Sequence, residues 1–228
     1  MARRKKILIV TDDSGESYEI LHAKHRFEEE GWTAHIGASK KKRLHGVIHD
    51  FEPGWNTYIE RPGYLIEADV AISQVKPSSY DAILLIGGRA PEFLRHNTKL
   101  LKLVRAFDEQ GKWIFSICHG IQILIAAGIA GGRRLTSYCN IRFEVEQAGA
   151  KWVNKQSVVD GNFITAQSEE DALALLLYRL TEPEVDRESE RFSPAIREIM
   201  LTYYSEDNVT ALEQIIANPG EQVPEGED

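Results

Sequence analysis

Cysteine is scarce in this chain: Cys118 and Cys139 are the only two among 228 residues. Two cysteines build no disulfide framework, and so few suit a reducing compartment. Basic residues are in deficit, with 27 Lys and Arg against 35 Asp and Glu and a net charge of −8. That balance argues against a nucleic-acid surface. The basic runs Arg3-Arg4-Lys5-Lys6 and Lys40-Lys41-Lys42-Arg43 are short, and no aromatic reading motif accompanies them. Long apolar runs are missing as well. Ile7-Leu8-Ile9-Val10 is too short for the core of a signal peptide, and nothing approaches the ~20 apolar residues of a membrane span. The expectation is a cytoplasmic protein with neither nucleic acid nor membrane as partner. No internal repeat is present, and histidine is absent beyond His119.

What is there reads as alternating strands and helices. A hydrophobic content of 43% and a charged content of 27% are those of a globular chain, long enough for one α/β domain and an appendage. Short, apolar, β-branched runs at 6–10, 32–38, 81–86 and 112–117 predict buried parallel strands. Helical patterns follow at 18–30, 98–110 and 121–127, with Gly31, Gly111 and Gly128 as stops. Shorter strands are expected at 135–138, 151–153, 157–159 and 163–166, and helices at 141–148 and from Ser168 to 180. Residues 40–71 are irregular and rich in Pro, Gly and aromatics, and are expected to hold a hairpin or lid. From 181 the composition turns charged and linker-like, followed by two helical patterns and an acidic tail. Two regions follow: an α/β domain at 1–180 and an extension at 181–228.

The stretch Ser116-Ile117-Cys118-His119-Gly120 carries the chemistry. It joins a strand-like run to a helix-like run, with small residues two before and two after the cysteine. That is the steric requirement of a nucleophile elbow, where a tight strand-to-helix turn leaves no room for larger side chains. Such a turn sets Cys118 at a helix N-terminus, which favours thiolate, with His119 beside it as base or ion-pair partner. A buried structural cysteine would leave the spacing unexplained. Gly87-Gly88 ends another strand, where backbone N–H groups can approach a substrate oxygen. Gly88 and His119 are the candidate oxyanion donors, and a plain strand-end turn is the alternative. Glu16 follows the first strand and belongs at the carboxyl edge of the sheet, or serves as a first-turn helix acid. Glu92, after Pro91, has the same second reading. His45 and His49 are four apart, but no third ligand is evident and no metal is expected.

Taken in order, Ile86-Gly87-Gly88-Arg89-Ala90-Pro91-Glu92, the elbow with Gln122, Thr136-Ser137-Tyr138 and Asp160-Gly161-Asn162 resemble the ThiJ/PfpI superfamily, most of all its intracellular-protease-like branch. The resemblance covers about residues 5–167. It implies a flavodoxin-like α/β sandwich, three layers around a mostly parallel sheet, related to class I glutamine amidotransferases. It also implies roles: Cys118 as nucleophile, His119 as its base, Glu16 in contact with the sulfur, and Tyr138 with Gly87 in the substrate pocket. Glu92 would reach the histidine of a neighbouring subunit, so the resemblance implies a homo-oligomer with a shared site and no cofactor. The chain departs from the family where Ile86, Ile121 and Cys139 replace proline, and where Gln167 and the residues after it replace arginine and proline. Residues 40–67 form a longer loop than usual, containing His45, His49, Trp55 and Tyr58.

The expected function is a cysteine-dependent hydrolase, or a glyoxalase- or deglycase-type enzyme, acting through the Cys118 thiolate on small carbonyl or peptide substrates. A non-enzymatic redox or stress sensor working through Cys118 oxidation is the alternative. A glutamine amidotransferase is disfavoured, because that class draws its histidine from late in the chain.

Overall fold

The computed structural model describes residues 3–50 and 52–167. The chain divides into two units, 1–181 and 182–228, and the described residues all lie in the first. The helix expected from Ser168 and the extension beyond 180 lie outside the described residues.

The chain order is β1 (Lys6–Val10), α1 (Ser17–Glu29), β2 (Thr33–Ala38), β3 (Arg43–Asp50), β4 (Ile59–Glu67), β5 (Val70–Ala71), β6 (Ala82–Leu85), α2 (Ala90–Leu94), α3 (Thr98–Glu109), β7 (Trp113–Ile117), α4 (Ile121–Ala127), β8 (Arg134–Leu135), α5 (Arg142–Gln147), β9 (Lys151–Trp152), β10 (Ser157–Asp160) and β11 (Phe163–Ala166). Seven strands form one sheet in the order β10-β11-β7-β6-β1-β2-β5. Every pairing in it is parallel except β10 with β11.

The apolar strand runs are continuous because both sheet faces are covered, and the two-residue period of each strand divides its side chains between two cores. Ile7 and Ile9 of β1, Ala82 and Leu84 of β6, and Phe115 and Ile117 of β7 pack on one face with Ile20, Ala23 and Phe27 of α1. Leu8 and Val10, Ile83 and Leu85, and Ile114 pack on the other with Leu100, Val104 and Phe107 of α3 and Ile123 and Leu124 of α4. Phe27, Phe107 and Phe115 are fully buried, each worth about 1.5–3 kcal/mol of apolar burial. This is the three-layer α/β sandwich expected from the sequence. Capping follows the local chemistry. The Asn97 side chain accepts from the Lys99 and Leu100 N–H groups at 3.1 and 3.2 Å, and Gly128 closes α4 in the left-handed conformation at φ 73°.

The irregular stretch resolves into a two-stranded antiparallel hairpin, β3 with β4, with a register shift between His45 and Val47. It is fastened to the β1–α1 loop. The Ser14 N–H donates to the His45 carbonyl at 2.7 Å and the Val47 N–H to the Gly15 carbonyl at 2.9 Å. The Tyr64 N–H donates to the Ser17 hydroxyl at 3.1 Å. A β-carbon at Gly46 or Gly63 would lie 2.3 Å from the Ser17 oxygen, so both glycines let the hairpin backbone press against the start of α1.

The elbow is packed with the same economy of space. A β-carbon on Gly120 would lie 2.3 Å from the Leu85 carbonyl oxygen and 2.9 Å from its carbon, both backbone atoms that cannot swing aside. Gly120→Ala is therefore expected to destabilise the protein by about 1–3 kcal/mol, the usual cost of overpacking. Urea denaturation measures this, and an unchanged midpoint would contradict the packing account.

Candidate active site

Three adjacent strands, β1, β6 and β7, end at the same edge of the sheet. The chain leaves β1 toward β2 on one side and returns to β6 on the other, so the crevice at their carboxyl ends is where open α/β sheets bind ligands. The residues after these strands are the 11–16 loop, Gly87-Gly88 and Cys118.

Cys118 has φ 54°, left-handed backbone that a side chain other than Asn or Asp seldom adopts. Ile117 before it is extended, and Cys118–Gly120 form a single 3-10 turn leading into α4. The strain, of order 1–3 kcal/mol for such a residue, is held by the buried strand before the turn and the buried helix after it. The elbow read from the small-x-Cys-x-small spacing is thus present in the backbone. Cys118 is 9% exposed and His119 7% exposed, with Cys118 Sγ 3.2 Å from His119 Nδ1. Burial, and secondarily the charge of His49, push the His119 pKa down to about 4. The ring is therefore neutral at neutral pH.

The two glycines after β6 owe their identity to close approach. A β-carbon on Gly87 would lie 2.8 Å from Cys118 Cβ and 2.9 Å from a Glu19 carboxylate oxygen. At Gly88, φ is 71° and a β-carbon would lie 2.4 Å from the Ser14 carbonyl oxygen. That same carbonyl accepts the Arg89 and Ala90 N–H groups at 2.8 and 3.2 Å. The β1–α1 loop and the turn after β6 are thereby locked together beside the cysteine.

Glu16 is the N-cap of α1 and accepts the Glu19 N–H at 2.7 Å, so the helix-start reading of this buried acid holds. Glu19, which the sequence reading passed over, is 1% exposed and accepts the Gly87 N–H at 2.6 Å. Its carboxylate and Cys118 flank the same glycine. Its position three after Glu16, in the first turn of the helix that starts at the sheet edge, was the available signal. Glu92 lies in the first turn of α2 and is exposed. Tyr138 is half-buried, with its ring 5.3 Å from that of His119 and its hydroxyl accepting from Asn140 Nδ2 at 3.0 Å.

The hairpin brings in further residues. Tyr58 stands edge-on to His119, with ring centroids 6.0 Å apart and planes at 90°, and leans on Tyr138 at 5.6 Å. His49 stacks on Tyr58 at 4.0 Å. Its Nε2 lies 3.4 Å from Glu60, whose carboxylate takes two hydrogen bonds from Arg89 at 2.8 and 2.7 Å. Burial, and then the neighbouring Cys118 charge, push the Tyr58 pKa up to about 12, so its phenol stays protonated. His45 and His49 both lie on strand β3, where four residues do not complete a helical turn, and His45 is exposed beside Asp13. Cys139 is exposed. Among the described residues no group of three His, Cys, Asp or Glu side chains is placed to hold a metal ion, and no helix is long and apolar enough to cross a membrane.

The model of the DJ-1/PfpI family matches residues 5–182. Deglycases of Thermococcus kodakarensis and Pyrococcus furiosus are each 37% identical over 169 residues, 74% of this chain and 93% of theirs. A ThiJ/PfpI domain protein from Brachyspira murdochii has a similar fold, with a TM-score of 0.69 at 20% identity, covering 80% of this chain and 100% of its own.

The depressed His119 pKa has a consequence for stability. The unfolded chain takes up this proton near the ordinary value of 6.5, the folded one only near 4. Stability is therefore lost as pH falls through that window, by at most about 1.4 kcal/mol per pH unit for one proton. Denaturation of wild type and His119→Gln at pH 7 and pH 5 should show a smaller fall in the variant. Parallel falls would contradict the buried, neutral imidazole.

Proposed function

The chain belongs to the DJ-1/PfpI family, and from that membership we propose a cysteine-dependent deglycase- or glyoxalase-type enzyme acting on small carbonyl compounds. The observation that carries this reading is the strained Cys118, with its sulfur 3.2 Å from a neutral, buried imidazole. Relatives named as deglycases support it.

With a 2-oxoaldehyde such as methylglyoxal, the thiol proton passes to His119 and the sulfur attacks the aldehyde carbon. The C–S bond forms, and the carbonyl π pair becomes an alkoxide that takes up a proton, giving a hemithioacetal. The N–H groups of Gly88 and His119 are the donors proposed for that oxygen. His119 then moves the proton from the former aldehyde carbon to the neighbouring one, leaving a thioester of a hydroxy acid. Water cleaves the thioester, releasing the acid and restoring the thiol. The net change is addition of one water, with no oxidant or reductant. Glu16 and Glu19, both buried near the elbow, are the acids proposed to face the sulfur, where a protonated carboxyl would hydrogen-bond the thiolate. Glu92, exposed on α2, is assigned to the His119 of a second copy, as the family resemblance implies. An amide substrate would follow the same addition and collapse to an acyl-enzyme.

Purified wild type should consume methylglyoxal without glutathione, and Cys118→Ala should reduce that to background. An undiminished rate in the variant would remove Cys118 from the mechanism.

A further inference from the structure

We propose that Tyr58, carried by the β3–β4 hairpin, sets substrate size at Cys118, admitting small free 2-oxoaldehydes and keeping carbonyl adducts on folded polypeptides out. The proposal rests on the cysteine chemistry above for what the substrate is, but the access it describes can be measured without turnover.

Cys118 and His119 are 9% and 7% exposed, and what stands over His119 from the hairpin side is a set of rings: Tyr58 edge-on, Tyr138 tilted beside it, and His49 stacked behind Tyr58. The Thr57 hydroxyl lies 3.3 Å from the Tyr138 hydroxyl, which joins the hairpin tip to the segment after β8.

This wall is fixed at both ends. At its base, the hairpin backbone is hydrogen-bonded to Ser14 and Gly15 and pressed against Ser17 through Gly46 and Gly63. Near its tip, Glu60 is gripped bidentately by Arg89, the residue directly after Gly88. A bidentate guanidinium–carboxylate pair fixes orientation as well as distance, and His49 ties the stacked ring to the same carboxylate. The segment that carries the size limit is thus anchored to the turn beside the nucleophile, and a bulky substrate would have to break that anchor.

Two thiol reagents of different size test the proposal, with peptide mass mapping to separate Cys118 from the exposed Cys139. In wild type, iodoacetamide should modify Cys118, while a fluorescein maleimide should react with Cys139 and lag at Cys118. Tyr58→Ala should raise the maleimide rate at Cys118 by about tenfold or more, the scale of a size discrimination, and leave the iodoacetamide rate within about threefold. Tyr58→Phe keeps the ring and should keep the wild-type selectivity. Should Tyr58→Ala not fold, Glu60→Gln loosens the anchor from outside the site and carries the same expectation. A maleimide rate at Cys118 that stays unchanged, or that rises in step with iodoacetamide, would overturn the proposal. Size selectivity in a protein that turns over no methylglyoxal would support the wall while defeating the proposed chemistry. Turnover without size selectivity would defeat the wall alone.

Discussion

Three strand-end turns meet at Cys118 more closely than any β-carbon would permit, and the rest of the site depends on that approach. Gly87 lies against the cysteine and Glu19, Gly88 against Ser14, and Gly120 against the end of β6. The nearest contact of each is with a backbone atom or a β-carbon, which cannot relax by rotating a flexible group. The result is a sulfur held in a strained, left-handed position, with the Glu19 carboxyl across Gly87 and an imidazole beside it. The stability that holds the strain comes from elsewhere, from two apolar cores that grip β1, β6 and β7 on both faces. A nucleophile in a relaxed turn would need none of this packing.

The hairpin adds a second layer of constraint. Its β4 strand is mostly exposed, but Leu44 and Ile66 are buried in the core that packs on α1. Its junction with the β1–α1 loop and the Glu60–Arg89 pair hold it as well. Because Arg89 follows Gly88 and holds Glu60, the hairpin and the surroundings of Cys118 share one anchor.

Much of this was legible in the sequence, for physical reasons that differ from place to place. The strands of the central sheet could be read because both of their faces are buried, which leaves the runs of 6–10 and 112–117 apolar but for a lysine at each start and the small Ser116. The elbow could be read because its steric demand is local: small residues two before and two after Cys118 are the mark of the turn itself. A hairpin within 40–71 was expected, but the strand bounds and register of β3 and β4 could not be read. Its register depends on Gly46 and Gly63 meeting Ser17, contacts remote in the chain, and glycines in an aromatic-rich stretch point equally to a loop. Glu19 escaped notice because a buried acid in a first helical turn looks like its neighbour Glu16, and only the fold reveals which of them reaches Gly87. Gly87-Gly88 was recognised as special, but the reason legible in the structure is lack of space.

The account's central claim is that backbone placement, not exposure, makes Cys118 the reactive thiol. The chain carries its own control, because Cys139 is exposed whereas Cys118 is buried and exposure alone would favour Cys139. The direct measurement is competition between the two for a sub-stoichiometric amount of iodoacetamide at neutral pH, resolved by peptide mass mapping. The account predicts that the label appears first on Cys118. Label appearing first on Cys139, with Cys118 modified only on unfolding, would mean that the elbow holds an inert, structural cysteine.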